Sequence, residues 1–155
     1  MPPPQLFPTR QHKTREEIRS TLIINSDAAY CSQAQTAGLG WTLLSSGACR
    51  PSKHSTCCKH VSSLLVAEAL AARSALMAAS HLIDCSVVLK SYCQVLVKAI
   101  VSKSLCVEIH SILSDILLLS SSFKSFSCKF ILRTANCLAD SLAKSALSLY
   151  PLNLV

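Results

Sequence analysis

A short apolar run that ends in polar residues, positions 21–27 (Thr-Leu-Ile-Ile-Asn-Ser-Asp), constrains the fold most strongly. An apolar, β-branched run of this length is typical of a central strand buried on both faces of a sheet. Asp27 would then emerge at the C-terminal end of that strand. Because ligand sites in open α/β sheets form outside the carboxyl ends of strands, Asp27 is a candidate functional residue.

The patterns that follow predict two further strands and then a helix. Residues 38–44 (Gly-Leu-Gly-Trp-Thr-Leu-Leu) predict a second strand, and two of the chain's three glycines stand at its start, where another backbone can approach closely. A third strand near residues 54–62 would complete an antiparallel meander. From Leu64 the apolar residues recur at three- and four-residue spacing in an alanine-rich stretch, which predicts a helix. Glu68 falls in its first two turns, beside the buried stripe, and can reach inward to the sheet.

The second half of the chain alternates between strand and helix patterns. Residues 86–91 predict a strand, residues from 95 to 100 show helical spacing, residues 107–120 predict another helix and residues 126–132 predict the last strand. A final helix is expected at 136–149, with Asn136 as its N-cap. This order predicts an α/β fold with a mixed five-stranded sheet flanked by helices, in which the first three strands are antiparallel and the first, fourth and fifth are parallel.

The composition favours one domain with a continuous core, since half of the 155 residues are apolar. Residues 1–20, rich in proline and charge, are expected to be a flexible basic leader, 21–150 the domain and 151–155 a tail. No run approaches the roughly 18 apolar residues of a membrane helix. The first residues also lack a secretory pattern, so we expect a protein of the nucleus or cytoplasm that is not secreted.

The formal charge of +7 suits a polyanionic partner without identifying one. Four of the fifteen basic residues lie in the first nineteen positions, so the domain is less basic than the total implies.

Nine cysteines without a Cys-x-x-Cys pair are interpreted as reduced thiols that act as small core residues. His54, Cys57, Cys58 and His60 are potential zinc ligands. An extended segment would direct neighbouring side chains to opposite faces, which disfavours one ion among them.

Five short segments together carry a family resemblance. They are residues 27–30 (Asp-Ala-Ala-Tyr), 37–41 (Ala-Gly-Leu-Gly-Trp), 67–71 (Ala-Glu-Ala-Leu-Ala), 113–116 (Leu-Ser-Asp-Ile), and 133–136 (Arg-Thr-Ala-Asn) leading to 139–144 (Ala-Asp-Ser-Leu-Ala-Lys). In this order and spacing the chain resembles the ribonuclease H type-1 fold over residues 21–148. It is most similar to the version carried by plant non-LTR retrotransposon-derived, reverse transcriptase-like proteins.

The resemblance implies cleavage of the RNA strand of RNA–DNA hybrids by four carboxylates that hold two divalent ions, Mg²⁺ or Mn²⁺. One ion makes a hydroxide-like nucleophile and the other stabilises the leaving oxygen, with the ions about 3.5–4 Å apart. It implies that Asp27 is the bridging ligand, Glu68 a ligand near the substrate ribose and Asp140 the late ligand. It also assigns three residues to substrate binding: Gln94, Arg133 and Asn136.

The chain departs from this pattern at Tyr92. The plant sequence Ser-Asp-Ser-Gln stands here as Ser-Tyr-Cys-Gln at residues 91–94, so a phenol occupies the position of the third ligand. A neutral phenol with a pKa of about 10 is a poor ligand for magnesium, and its bulk is expected to intrude on the space for metal. Two hypotheses follow. The domain is either a hybrid-specific endoribonuclease or a catalytically dead, retroelement-derived domain that binds nucleic acid or only folds.

Each candidate also has a purely structural interpretation. Asp27 could cap a turn, and Glu68 and Asp140 could be ordinary carboxylates near helix N-termini. Arg133 suits a phosphate contact or solvent, and Gln94 could contact nucleic acid or merely start a helix. Trp41 is interpreted as a core residue of the hairpin rather than a base-stacking platform.

Overall fold

The computed structural model describes residues 21–82 and 84–149. The predicted leader and tail therefore lie outside the described residues. The elements, in chain order, are β1 (Thr21–Cys31), β2 (Thr36–Ser45), β3 (Ser52–Cys58), α1 (Leu64–Ala79), β4 (Ser86–Ser91), α2 (Gln94–Ser102), α3 (His110–Ser121), β5 (Ser125–Phe130) and α4 (Cys137–Leu149). Short 3-10 turns at Val107–Ile109 and Arg133–Asn136 precede α3 and α4.

The five strands form one sheet in the order β3-β2-β1-β4-β5. β2 is antiparallel to both β1 and β3, whereas β4 is parallel to both β1 and β5, which confirms the predicted mixed sheet. β1 is central, with Leu22, Ile24 and Ala28 buried on one face.

Asp27 was expected at the end of β1, and this is wrong because the strand continues to Cys31, paired with β2 throughout. Parallel pairing with β4 nevertheless stops at Asn25, opposite Lys90. Asp27 therefore lies just beyond the end of the β1–β4 ladder, where β1 is flanked by β2 alone.

Helices cover both faces of the meander. α4 packs across β1, β2 and β3, and α1 packs on β1 and β2. The predicted close approach at the glycines is confirmed: a Cβ placed on Gly38 would lie 2.0 Å from the Ala143 carbonyl oxygen, and one on Gly40 would lie 2.5 Å from the Ala139 carbonyl oxygen. The last helix thus lies directly on the backbone of β2.

Two strands end earlier than predicted. β3 ends at Cys58 instead of continuing to residue 62, and β5 ends at Phe130 instead of 132. Phe130 and Leu132 are exposed. In α3 and its preceding turn, Ile109, Ile112, Leu113 and Ile116 are buried, and Leu119 is half-buried.

All nine cysteines are free thiols. None of them is fully buried, and Cys49 and Cys137 are exposed. Five are half-buried and pack against the edge of the core: Cys58, Cys85, Cys93, Cys106 and Cys128. None of the helices in the described residues is long and apolar enough to cross a membrane.

Candidate active site

The structure brings the three predicted carboxylates together. Asp27 comes from β1, Glu68 from the second turn of α1, and Asp140 from the first turn of α4. The carboxyl group of Asp27 is in hydrogen-bonding contact with those of both Glu68 and Asp140, and its Oδ1 also accepts a hydrogen bond from the backbone N–H of Ala28 at 3.0 Å. The side chain of Glu68 points inward as predicted and is only 7% exposed.

Burial dominates the protonation of the two inner carboxyl groups. It raises the pKa of Asp27, aided by the neighbouring Asp140 and opposed by hydrogen bonds from Glu68 and Ala28. Burial, together with the charge of Asp27 and the hydrogen bond to it, raises the pKa of Glu68 to about 9. Like charges held close together in a low-dielectric environment cannot all ionise, so Glu68 keeps a proton at neutral pH and shares it with Asp27.

Asp140 is the outermost of the three and behaves differently. Its burial acts to raise the pKa, but hydrogen bonds from Lys144 and Asp27 and the charges of Lys144 and Arg133 outweigh it, so its pKa is lowered. Lys144 Nζ lies 2.9 Å from Asp140 Oδ2, one helical turn along α4. Asp140 is therefore the ionised member of the cluster.

The donor chemistry of this cluster fits a divalent cation. All the donors are carboxylate oxygens, which Mg²⁺ and Mn²⁺ prefer, and the buried Oε2 of Glu68 receives no hydrogen bond from the described N–H and O–H groups. However, no three His, Cys, Asp or Glu side chains within residues 21–82 and 84–149 are arranged to hold an ion. The shared protons keep the carboxyl groups in pairwise contact, so metal binding would require Glu68 to lose its proton and the side chains to turn.

Tyr92 follows the last residue of β4 and is 47% exposed. Its ring lies against Phe130, with the centroids 5.8 Å apart and the planes inclined by 31°. β5 is on the side of β4 away from β1, so this contact draws the ring away from Asp27. Its hydroxyl makes no hydrogen bond to the three carboxylates. The steric intrusion on the metal space that the sequence led us to expect stays a prediction.

The three predicted substrate-binding residues have different surroundings. Gln94 is exposed at the first position of α2, and Arg133 is exposed in the turn before α4, where its charge acts on Asp140. Asn136 is 1% exposed, and its Nδ2 donates to the backbone carbonyl of Ser26 at 3.0 Å. Asn136 directly precedes α4, but the predicted N-cap is wrong, because its buried Oδ1 accepts no hydrogen bond from the described residues. Its burial also leaves no surface for direct contact with a substrate. We interpret it as a positioning residue that ties the start of α4 to β1.

Sequence reasoning missed several residues around the cluster. Lys144 could have been found from its four-residue spacing after Asp140. Cys93 could not, because its proximity depends on the turn after β4. Burial raises the pKa of its thiol, and the charges of Glu68 and Asp27 add to the rise.

Trp41 is buried against His54, with ring centroids 5.9 Å apart, which confirms it as a core residue of the hairpin.

The proton on Glu68 has a consequence for stability. In the unfolded chain Glu68 ionises near its ordinary pKa of 4.5, whereas in the folded chain it stays protonated to about 9. The native state therefore binds more protons between these values, and the free energy of unfolding contributed by this group falls as the pH rises through that interval. In buffer with EDTA at pH 8, Glu68→Gln should raise the free energy of unfolding by more than about 1 kcal/mol in urea denaturation and flatten its pH dependence.

The matched control is Asp115→Asn, since Asp115 is an exposed carboxylate that pairs with Arg73 at 2.9 Å, outside the cluster. It should leave the pH slope unchanged. A Glu68→Gln variant that is less stable than the native chain at pH 8 would show that Glu68 is ionised and compensated in the fold.

Comparisons with known proteins identify the fold. The chain is similar to ribonuclease H1 from the archaeon Halobacterium salinarum, with a TM-score of 0.75 and 22% identity over 83% of this chain and 98% of the other. The N-terminal RNase H domain of a Mycobacterium tuberculosis protein also gives a TM-score of 0.75, at 17% identity over 83% of this chain and 94% of the other. LC11-RNase H1, solved in complex with an RNA/DNA hybrid, gives 0.72 at 20% identity over 83% of this chain and 97% of the other. A search of curated proteins finds no match.

The sheet order and the helices that carry the cluster define an RNase H-like domain. The sequence profile of the reverse transcriptase-like family matches residues 25–146. The chain belongs to the reverse transcriptase-like family.

Proposed function

We propose that this domain binds RNA–DNA hybrid duplexes and that its hydrolytic site is disabled by the loss of one carboxylate at Tyr92. The observation that carries the proposal is the convergence of Asp27, Glu68 and Asp140 at the end of the β1–β4 ladder. Tyr92, which packs against Phe130, follows β4 where a fourth carboxylate would be expected. LC11-RNase H1, which shares the fold, was solved with an RNA/DNA hybrid, which supports the same class of partner.

A divalent cation at this site would activate water and stabilise the leaving oxygen of a phosphodiester. Asp27, Glu68 and Asp140 would hold it, and Lys144 would neutralise part of the carboxylate charge on the outer side. Without a carboxylate at position 92 the donor set has one negative charge fewer. Divalent cations then bind more weakly, and protons compete more successfully with them for Glu68 and Asp27.

A basic pair on the sheet supports a polyanionic partner. Lys90 and Lys129 are direct neighbours across the parallel strands β4 and β5. They point to the face opposite the buried Leu89, and α4 covers that face over β1, β2 and β3. Neither lysine forms an ion pair with a described residue. Like charges directly opposite each other destabilise a sheet, so a bound phosphate backbone would relieve their repulsion.

The binding test uses fluorescein-labelled RNA–DNA hybrid and DNA duplex of the same sequence, in EDTA so that hydrolysis cannot interfere. Fluorescence anisotropy should show saturable binding of the hybrid at an affinity higher than that for the DNA duplex. Equal affinities for the two duplexes would reduce the function to non-specific electrostatic binding. No binding of either would leave a domain that only folds.

The basic pair gives a quantitative prediction. Replacing both Lys90 and Lys129 by glutamine should weaken hybrid binding and make the slope of log affinity against log salt concentration shallower by roughly 2, since each phosphate contact contributes about 0.9. The same anisotropy titration at several salt concentrations measures it.

The control pair is Lys53→Gln with Lys103→Gln. Lys53 lies on β3 at the other edge of the sheet, and Lys103 follows the end of α2 that is farther from the cluster. This pair removes the same charge and should change the slope by less than half as much. Equal slopes for the two double variants would contradict a specific role for the β4–β5 face.

A further inference from the structure

We propose that Tyr92 and Phe130 form an aromatic platform on which an unpaired nucleotide base of single-stranded nucleic acid stacks, beside the carboxylate cluster. This inference rests on the proposed function, because it names a second form of nucleic acid that the same edge of the domain would recognise. Hereafter the two rings are called the aromatic platform.

Exposure sets these two rings apart. The structure describes six Phe, Trp and Tyr side chains: Tyr30, Trp41, Tyr92, Phe123, Phe126 and Phe130. Only Tyr92 and Phe130 among them are exposed, at 47% and 37%, and they contact each other. Tyr30, by comparison, is partly buried and donates its hydroxyl to the Val61 carbonyl at 2.8 Å. Two neighbouring exposed rings in a domain that buries or half-buries the other four suggest a surface made for contact.

The backbone beneath the aromatic platform is firmly held. Ser91 and Phe130 are partners at the end of the β4–β5 ladder, and the N–H of Ile131 donates to the Ser91 carbonyl at 3.0 Å, one residue beyond it. The buried Ser91 hydroxyl accepts a hydrogen bond from the N–H of Cys93 at 3.1 Å, which fixes the turn that presents Tyr92. Binding to a platform on ordered backbone loses little conformational entropy.

The positive charge near the aromatic platform favours nucleic acid over an apolar protein as the partner. β5 is an edge strand of the sheet, so Lys129 and Phe130, which alternate to opposite faces, flank the same edge. Lys90 is the cross-strand partner of Lys129, and Arg133 is exposed three residues after Phe130. Aromatic faces next to cationic side chains are the combination that binds single strands, because the bases stack on the rings while the phosphates meet the positive charge. The hydroxyl of Tyr92, which has no partner among the described residues, can also donate to a base or phosphate oxygen.

Compared with a carboxylate at position 92, Tyr92 therefore removes a metal ligand and adds a surface on which a base can stack. A tyrosine in place of a carboxylate removes one negative charge near the phosphates and supplies a flat ring. An unpaired base at the end or in a gap of a hybrid could stack there while the duplex lies along the basic face.

The test measures binding of a fluorescein-labelled twelve-nucleotide oligo(dT) and of a strand of equal length in which abasic spacers replace the bases. Tyr92→Ala and Phe130→Ala should each weaken oligo(dT) binding at least about fivefold, and Tyr92→Phe should stay within about twofold of the native chain. The abasic strand keeps the phosphates, so its weaker binding should be insensitive to all three variants. A 2-aminopurine placed within the strand should lose fluorescence on binding to the native chain and not to Tyr92→Ala.

Leu118→Ala is the matched control, since Leu118 is an exposed apolar side chain on α3 that is not part of the platform. Circular dichroism melting checks that each variant folds, and Tyr92→Ser provides a second, more polar replacement. Equal losses for oligo(dT) and the abasic strand, or no greater loss than in Leu118→Ala, would overturn the platform. If the native chain binds hybrid but not oligo(dT), only this inference fails; if it binds neither, the proposed function fails with it.

Discussion

Replacing Tyr92 by aspartate is expected to give the domain a metal-dependent hydrolysis of RNA–DNA hybrid that exceeds the native activity by on the order of a hundredfold or more. The fourth carboxylate would join Asp27, Glu68 and Asp140 and restore the charge that two divalent ions require. The bound ions, not the added carboxylate itself, would then favour loss of the proton on Glu68. The magnitude follows because even the loss of an outer partner of a metal ligand costs 10–100-fold, and a ligand itself should cost no less. Cleavage of end-labelled hybrid in Mg²⁺ and in Mn²⁺ measures it.

Two variants make the result specific to the added carboxylate. Tyr92→Asn removes the ring and has the size of aspartate without its charge, so it should stay inactive. Tyr92→Asp combined with Asp27→Asn should also be inactive, because the cluster again has only three carboxylates. If Tyr92→Asn cleaves as well as Tyr92→Asp, the ring obstructs substrate and the missing charge is not the cause. The gain in cleavage should be accompanied by weaker oligo(dT) binding, since aspartate cannot stack a base.

Alanine at Gly38 is expected to be the most destabilising single-methyl addition in the domain, lowering the free energy of unfolding by at least about 3 kcal/mol. The new Cβ would lie 2.0 Å from the Ala143 carbonyl oxygen and 2.7 Å from the Leu147 backbone nitrogen, so α4 would have to move off the sheet. Because α4 carries Asp140, the displacement would also pull this carboxylate from Asp27. Urea denaturation followed by circular dichroism measures the change.

Gly47→Ala is the control, because it replaces a glycine without creating a steric clash with α4. A Cβ at Gly47 meets no atom within 4 Å, but its φ of +85° disfavours a side chain. This variant should therefore cost only about 1 kcal/mol through backbone strain. Similar losses at Gly38 and Gly47 would mean that α4 does not lie directly on β2.

The sequence predicts the fold well where the information is local. The apolar run of β1, the alanine-rich spacing of α1 and the glycines of β2 each encode one element or contact, and the structure has all three. Asp27 was misplaced at a strand end because the length of β1 is set by its antiparallel pairing with β2, in which Asp27 faces Gly40. That pairing is long-range information that a run of apolar residues does not contain.

The sequence predicted which residues form the candidate site, but not the protonation states of their carboxyl groups. The inward position of Glu68 followed from helical spacing. The proton that Glu68 shares with Asp27 depends on burial and on three chain segments meeting, which spacing cannot give. The direction of the Tyr92 ring was equally out of reach, because it depends on Phe130. Phe130 lies at the end of β5 and is exposed, and its contact with Tyr92 joins two segments that are far apart in the sequence.

The most direct test of the central claim is the cleavage of a labelled RNA–DNA hybrid by the native chain beside Asp27→Asn, in Mg²⁺ and in Mn²⁺. We predict that the native chain cleaves no faster than Asp27→Asn in either metal, because three carboxylates that share a proton do not hold the catalytic ions. Native cleavage that disappears in Asp27→Asn would contradict this account and show that Asp27, Glu68 and Asp140 suffice without a fourth ligand.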